Sequence, residues 1–376
     1  MPAARRPDAP IPYVDLPAQF AEEREELLAA FAATMERGQF IGGIEIEQFE
    51  RDIARYLGVP HAVALDSGTA ALILALICAG IRRGDEVITP PNSFVASTAT
   101  IVHIGARPVF ADVGPDQNFD PAAVAAAITP RTRAIMVVHL TGRCCDMDSI
   151  LALAKRHDLV VIEDAAQAIG ARYKGRMSGS MGQYSCFSTH PLKILNCPGD
   201  GGFITVPDEA TVKRVKTYRN HGLVDRNTLA EWGTVARMDN IQAAALNVRL
   251  PKLDRWIARR RAIVARYRQL LDAEFVFIPP DRDHEFNTYQ TLVIQVDRRD
   301  ELQDHLGKLG IGSAIHYPVP IHLQKPAAFL GYRRGQFPVT ERQAGRILSI
   351  PAHQYMSDDQ VEIVAGCIND FFRTKR

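Results

Sequence analysis

Between residues 61 and 164, five apolar strand-like runs alternate with helical stretches, and this alternation constrains the chain more than any other feature. The strands read at 61–65, 86–90, 107–111, 134–139 and 159–163, with helices at 69–79, 94–104, 121–128 and 148–157. Runs such as Ile135-Met136-Val137-Val138 show no polar alternation, so both faces of these strands must be covered. Strands separated by helices imply a mostly parallel sheet with helices packed on its faces, an α/β architecture. Asp120 followed by Pro121 is an N-cap with proline at the first helical position. Asp148 is expected to cap the helix that runs to His157.

The flanking regions follow other patterns. Residues 1–20 read as an irregular, Pro-rich lead-in docked on the body. A helix over about residues 22–37 places Leu27, Leu28, Phe31 and Met35 at helical spacing and closes at Gly38. After the loop Phe40-Ile41-Gly42-Gly43, a second helix runs through Phe49 and Tyr56 to Gly58. Beyond residue 163 come short strands at 184–188 and 202–206, then a long amphipathic helical region over 237–272 with a break expected at Pro251. Pro279-Pro280 marks a boundary, followed by a strand near 288–296, a helix at 300–309, a strand at 311–315, a Pro-rich loop and two final helices. Ser357 and Gln360 form a capping box for the last of these. The expected division is a large domain over 1–250 and a smaller C-terminal α/β domain over 251–376.

Bulk properties exclude several classes. The 376 residues carry a net charge of +1 and no basic run, so nothing points to nucleic acid. No apolar stretch is long enough to span a bilayer, and no apolar core follows the basic residues near the N-terminus. The six cysteines form no CxxC pair, which suggests free thiols in a reducing cytoplasm. His190, His221, His316 and His322 match no metal-ligand spacing, and no metal is expected.

Four places on this framework could carry chemistry. Ser67-Gly68-Thr69 lies where a strand gives way to an apolar helix, and a helix N-terminus offers N–H groups and a favourable dipole to phosphate. The plainer reading is an ordinary N-cap with a glycine turn. Asp164 ends its strand at the carboxyl edge, where open α/β sheets bind ligands. It could hold a ring nitrogen protonated, or it could cap a helix beginning at Ala165. Gln167 lies one turn further on, within reach of a ring oxygen. Phe94 could stack on a flat ring or simply fill the core. Lys193 sits among apolar and hydroxyl residues, five positions after Ser188 and before glycines at 199, 201 and 202. A partly desolvated lysine has a depressed pKa and forms Schiff bases readily. An anion cradle, a buried carboxylate and a reactive lysine, in that order, are what pyridoxal phosphate requires of a protein.

Several blocks together resemble the DegT/DnrJ/EryC1/StrS family of sugar aminotransferases. They are Ser67-Gly68-Thr69-Ala70-Ala71-Leu72, Glu163-Asp164-Ala165-Ala166-Gln167-Ala168-Ile169-Gly170, His190-Pro191-Leu192-Lys193, Gly199-Asp200-Gly201-Gly202, Arg237-Met238-Asp239-Asn240-Ile241-Gln242-Ala243-Ala244 and His316-Tyr317-Pro318. The resemblance runs roughly from Tyr13 to Phe372. It implies a fold-type-I (aspartate aminotransferase-like) enzyme, working as a homodimer with shared active sites. Lys193 would link to the cofactor and act as general base and acid, while Asp164 would pair with the ring nitrogen. Phe94 would stack on the ring, and Ser67, Gly68, Thr69 and Ser188 would hold the phosphate. Gln167 would contact the ring hydroxyl, and Arg237 would reach in from the other subunit. His190, Arg219, His221, His316 and Tyr317 are candidate substrate contacts, with loops 37–43, 219–232 and 316–324 setting substrate choice. The chain departs from the family at Val235, where many members carry an asparagine that helps bind the neighbour's cofactor phosphate. The implied reaction moves nitrogen from an amino acid, glutamate above all, to a keto-sugar, commonly nucleotide-linked. A keto-sugar dehydratase, a cyclitol aminotransferase and a non-catalytic cofactor-binding regulator are the alternatives.

Overall fold

The computed structural model describes residues 7–374. The chain opens with α1 (Leu16–Arg37) and α2 (Ile44–Leu57). The alternating region follows as β1 (His61–Leu65), α3 (Gly68–Cys78), β2 (Glu86–Thr89), α4 (Val95–His103), β3 (Arg107–Phe110), α5 (Pro121–Ala127), β4 (Thr132–Val138), α6 (Met147–His157) and β5 (Val160–Asp164). Next come the two-residue strands β6 (Arg172–Tyr173) and β7 (Arg176–Met177), then β8 (Tyr184–Ser188), β9 (Gly202–Val206) and α7 (Glu209–Tyr218). The remainder is α8 (Asn240–Arg249), α9 (Leu253–Leu270), β10 (Glu285–Phe286), β11 (Leu292–Gln295), α10 (Arg299–Lys308), α11 (Pro338–Ala344), β12 (Ile347–Ile350) and α12 (Asp358–Thr374).

Seven strands form the central sheet in the order β1-β9-β8-β5-β4-β2-β3. All pair in parallel except β9, which runs antiparallel to both of its neighbours. Ala134 through Val137 of β4 are wholly buried, as a strand covered on both faces requires. The alternation read from the sequence is therefore present element for element.

Several local expectations are corrected. The first helix starts at Leu16, inside the expected lead-in, because Asp15 accepts from the Ala18 N–H at 2.9 Å and Pro17 stands in the first turn. Residues 1–6 of that lead-in lie outside the described residues, and its remainder docks through buried Ile11, which bridges to Ile311. Helix α6 is capped by Asp146, which accepts from Ser149 N–H, whereas Asp148 lies in the first turn and pairs with Lys174 and Arg176. Of the expected strand at 311–315, only single bridges remain at Ile311 and Ala314. The lead-in crosses that stretch so closely that a Cβ on Gly312 would meet the Tyr13 nitrogen at 2.6 Å. Strand β12 instead pairs with β11.

Pro251 interrupts the long helical region with a single 3₁₀ turn, Leu250–Lys252, before α9 continues. Helix α9 joins two cores. Leu253, Trp256 and Ile257 pack with Phe49, Phe187 and Phe203 of the sheet body, while Ile263, Val264 and Tyr267 pack with Ile294, Val364 and Phe371 of the C-terminal layer. The Ser357–Gln360 capping box is formed reciprocally, at 3.0 and 3.2 Å. All six cysteines are free, and among the described residues no helix is long and apolar enough to cross a membrane.

Candidate active site

A cavity of about 420 Å³ opens beyond the carboxyl ends of β4, β5 and β8, where such sheets bind ligands. Asp164, Gln167, Ser188 and Lys193 line it from the sheet body, and His316 and Tyr317 close it from the C-terminal layer.

Successive residues of a strand point to opposite faces, so the Glu163-Asp164 pair is divided between two tasks. Glu163 is completely buried away from the cavity. Its carboxylate accepts from the backbone N–H groups of Gly179, Met181 and Gly182, from the Ser185 hydroxyl, and from His139 Nε2 at 2.8 Å. Burial opposes its charge, but these donors hold its pKa below the usual carboxylate range. Glu163 thereby staples the turn after β7 to the strand that carries Asp164.

Asp164 is 6% exposed and faces the cavity. Its Oδ2 accepts from Ser97 Oγ at 2.7 Å and its Oδ1 from Ala166 N–H at 3.2 Å. Burial pushes this carboxyl above the ordinary range, while those two bonds and the Lys193 charge act the other way. No helix follows β5, so Asp164 is not a helix cap. A buried carboxylate with two neutral donors and room in front of it is suited to a cationic N–H.

Lys193 is half-buried, and enclosure lowers its pKa to about 8, against the pull of Asp164. An amine in that range is nucleophilic at neutral pH and can carry a proton either way. The backbone around it is firmly tied. Asn196 donates to the Lys193 and Pro191 carbonyls, and Gln290 donates to the Leu192 carbonyl at 2.7 Å.

Helix α3 begins with Gly68, and a Cβ there would meet the Ser188 Cβ at 2.9 Å. Glycine therefore lets Ser188 sit beside the helix N-terminus, whose first N–H groups have no intrahelical acceptor. The Ser67 hydroxyl is engaged as the N-cap, accepting from Ala70 N–H and donating to Asp66. Phe94 is no core residue. It is 55% exposed at the cavity rim, with its ring 5.8 Å from that of Tyr317. The Gln167 amide is fixed by accepting from Thr141 N–H at 2.8 Å and donating to Tyr317 Oη at 3.3 Å. His316 Nδ1 lies 2.8 Å from Ser349 Oγ, and burial beside Lys193 lowers its pKa to about 4. His190 also lines the cavity, at its exposed edge.

Arg219 and His221, expected as substrate contacts, do not line this cavity, and Arg237, expected to serve the other subunit, also lies outside it. Arg219 is ion-paired with Glu50 at 3.0 Å and donates to the Ala64 carbonyl, which occupies its guanidinium structurally. His221 stands in an exposed turn at φ 62°. Arg237 borders a separate cavity of about 260 Å³ and donates to Asn220 Oδ1 at 2.7 Å. Val235, where the family's asparagine is missing, bridges to Asn220 and is half exposed. Conversely, Tyr13, Ser97, Gln290 and Thr291 contact the site without having been singled out. None of the four carries a distinguishing signal in the sequence.

The donor set fits pyridoxal phosphate. A buried acid, an amine of lowered pKa, an open aromatic face and a glycine-started helix N-terminus converge on one cavity. The cofactor supplies an electron sink for the reacting carbon. These residues would bind it, hold its ring nitrogen and move the proton.

Comparison with known proteins agrees. The model of the DegT/DnrJ/EryC1/StrS aminotransferase family matches residues 21–369. The chain is 39% identical over 367 residues to a pleiotropic regulatory protein of Geobacillus stearothermophilus, spanning 96% of this chain and 99% of that one. It is 39% identical over 366 residues to the dTDP-3-amino-3,4,6-trideoxy-alpha-D-glucose transaminase of Streptomyces venezuelae, spanning 96% of each. The crystal structure of S. venezuelae DesV in complex with a ketimine intermediate superposes with a TM-score of 0.95 at 38% identity, over 98% of this chain and 99% of that one. Fold, cavity and sequence thus converge on a pyridoxal phosphate-dependent aminotransferase, and the chain belongs to the DegT/DnrJ/EryC1/StrS aminotransferase family.

Proposed function

We propose that this aminotransferase takes nitrogen from glutamate and delivers it to a nucleotide-linked keto-sugar in amino-sugar biosynthesis. The observation that carries the transfer chemistry is the Lys193 amine, with its pKa lowered to about 8, in one cavity with the buried Asp164 carboxylate. Support for the acceptor comes from relatives named as nucleotide-sugar aminotransferases, on dTDP and on UDP sugars. The six free thiols fit a reducing compartment, which favours the cytoplasm. Under saturating glutamate, nucleotide-linked keto-sugars should be aminated in preference to unlinked keto-sugars and keto-cyclitols, with nitrogen incorporation read by mass spectrometry. A preference for an acceptor without a nucleotide overturns the acceptor assignment and leaves transamination standing. Deoxygenated products lacking new nitrogen favour the dehydratase reading.

We further infer that the enzyme acts as a homodimer with sites completed across the interface. Two features support this. Arg237 stands outside its own chain's cavity. A second groove, of about 450 Å³, shares Phe94 and Tyr317 with the active-site cavity and leaves Val95, Val319 and Phe329 about half exposed or more. Arg237→Ala and Lys193→Ala should each be nearly inactive alone, while mixed subunits regain activity because one site per hybrid keeps both groups. If proven hybrids stay inactive, Arg237 serves its own subunit or the fold.

A further inference from the structure

Ser97 is buried in the first turn of α4, 1% exposed, and serves no helix cap. Its hydroxyl lies 2.7 Å from Asp164 Oδ2 and 3.4 Å from the Phe94 carbonyl. A serine hydroxyl has a single proton to donate. The short contact to a charged acceptor outcompetes the long one to a neutral acceptor, so the proton goes to Asp164. Among the described residues, Asp164 otherwise receives only the Ala166 N–H. The hydroxyl therefore supplies the one side-chain hydrogen bond that this carboxylate receives among the described residues. Should Asp164 become protonated, the same hydroxyl can turn to the Phe94 carbonyl and accept from the acid. Either protonation state is then satisfied inside a buried site.

We propose that Ser97 is a positioning residue for the reaction, acting through Asp164: it fixes the carboxylate's orientation toward the cavity and keeps it ionised. This rests on the reading that Asp164 partners the cofactor's ring nitrogen. Ser97 touches neither the cavity nor the reacting atoms, so its effect passes through the acid alone. The other titratable groups that act on Asp164 are Lys193 and His139, which favour its charge, and Tyr317 and Cys186, whose own ionisation it opposes.

The test compares Ser97→Ala, Ser97→Thr and Asp164→Asn with the wild-type protein. In the apoprotein, carboxylate titration by NMR should show the Asp164 pKa raised in Ser97→Ala by about one unit, the effect of losing a hydrogen bond to a charged group. Noncovalent binding of pyridoxamine 5′-phosphate should weaken about tenfold for the same reason. In the holoenzyme, the rate with the amino donor should fall about tenfold while the donor KM is unchanged. Ser97→Thr, which keeps the hydroxyl, should restore all three. An unchanged Asp164 pKa and unchanged pyridoxamine phosphate affinity in Ser97→Ala would overturn the proposal, as would a loss seen equally in Ser97→Thr. If Asp164→Asn itself turns over at the wild-type rate, the underlying assignment of Asp164 has failed instead.

Discussion

Lys193→Ala is expected to fold normally and to lose transamination by on the order of 10³-fold or more, since on the proposed assignment one group would supply both the cofactor link and the proton transfer. Lys193 has the required setting. It is half-buried in the cavity that holds Asp164, and its pKa is lowered to about 8 by burial. In the wild-type holoenzyme, borohydride should fix the cofactor on a single peptide containing Lys193, and in Lys193→Ala on none. Labelling of any other lysine would overturn the assignment. The same depressed pKa has a consequence for stability. Between about pH 8 and pH 10.4 the unfolded chain binds more protons at this position than the folded one, so stability rises with pH across that window. Below it, keeping the ammonium enclosed costs on the order of 1–2 kcal/mol, allowing for solvent screening of a half-buried group. The Lys193→Met apoprotein should therefore melt higher than wild type at pH 7, with the gap closing toward pH 10. A lower melting temperature at pH 7 would mark Lys193 as structural.

Much of this architecture is legible because burial on both faces leaves a plain signature. Strand β4 reads as Ile135-Met136-Val137-Val138, a continuous apolar run that fits a strand covered on both faces, and Ala134 through Val137 are wholly buried. Elements whose identity depends on distant pairing are not legible. Strand β6 has two residues and exists because it lies between β7 and β10, more than a hundred positions apart from the latter. Strand β12 owes its place to β11. The cap of α6 is not legible because Asp146 and Asp148 carry the same chemistry two residues apart, and only backbone geometry separates the cap from the first turn. The site divides in the same way. Lys193, Asp164 and the glycine-started helix are chemically distinctive in the sequence and meet in one cavity. Ser97 is one serine among many until the fold brings it 2.7 Å from a carboxylate 67 positions away. Arg219 reads as a free loop cation until Glu50, 169 positions away, claims it.

Asp164→Asn should retain the fold and the bound cofactor and still lose turnover by about 10²–10³-fold, the scale of removing one preorganised electrostatic partner. Shape is not the issue. The amide oxygen can accept from Ser97 or from Ala166, so the end of β5 keeps its course. What disappears is charge: a neutral amide cannot hold a ring nitrogen protonated, and the electron sink weakens. The adjacent residue sharpens the contrast. Glu163 is equally buried, yet its carboxylate is surrounded by three backbone N–H groups, a hydroxyl and His139. Asp164 has two donors and an open cavity before it, and its pKa is pushed up where that of Glu163 is pulled down. Two acids in sequence thus differ because one is saturated by the protein and the other keeps accepting capacity toward the cavity. In Asp164→Asn the decisive pair of measurements is cofactor absorbance, which should persist, and the donor reaction rate, which should collapse at nearly constant donor KM. Near wild-type rates with bound cofactor would show that the cavity-facing acid only braces the turn through Ala166, and the ring nitrogen would then need another partner.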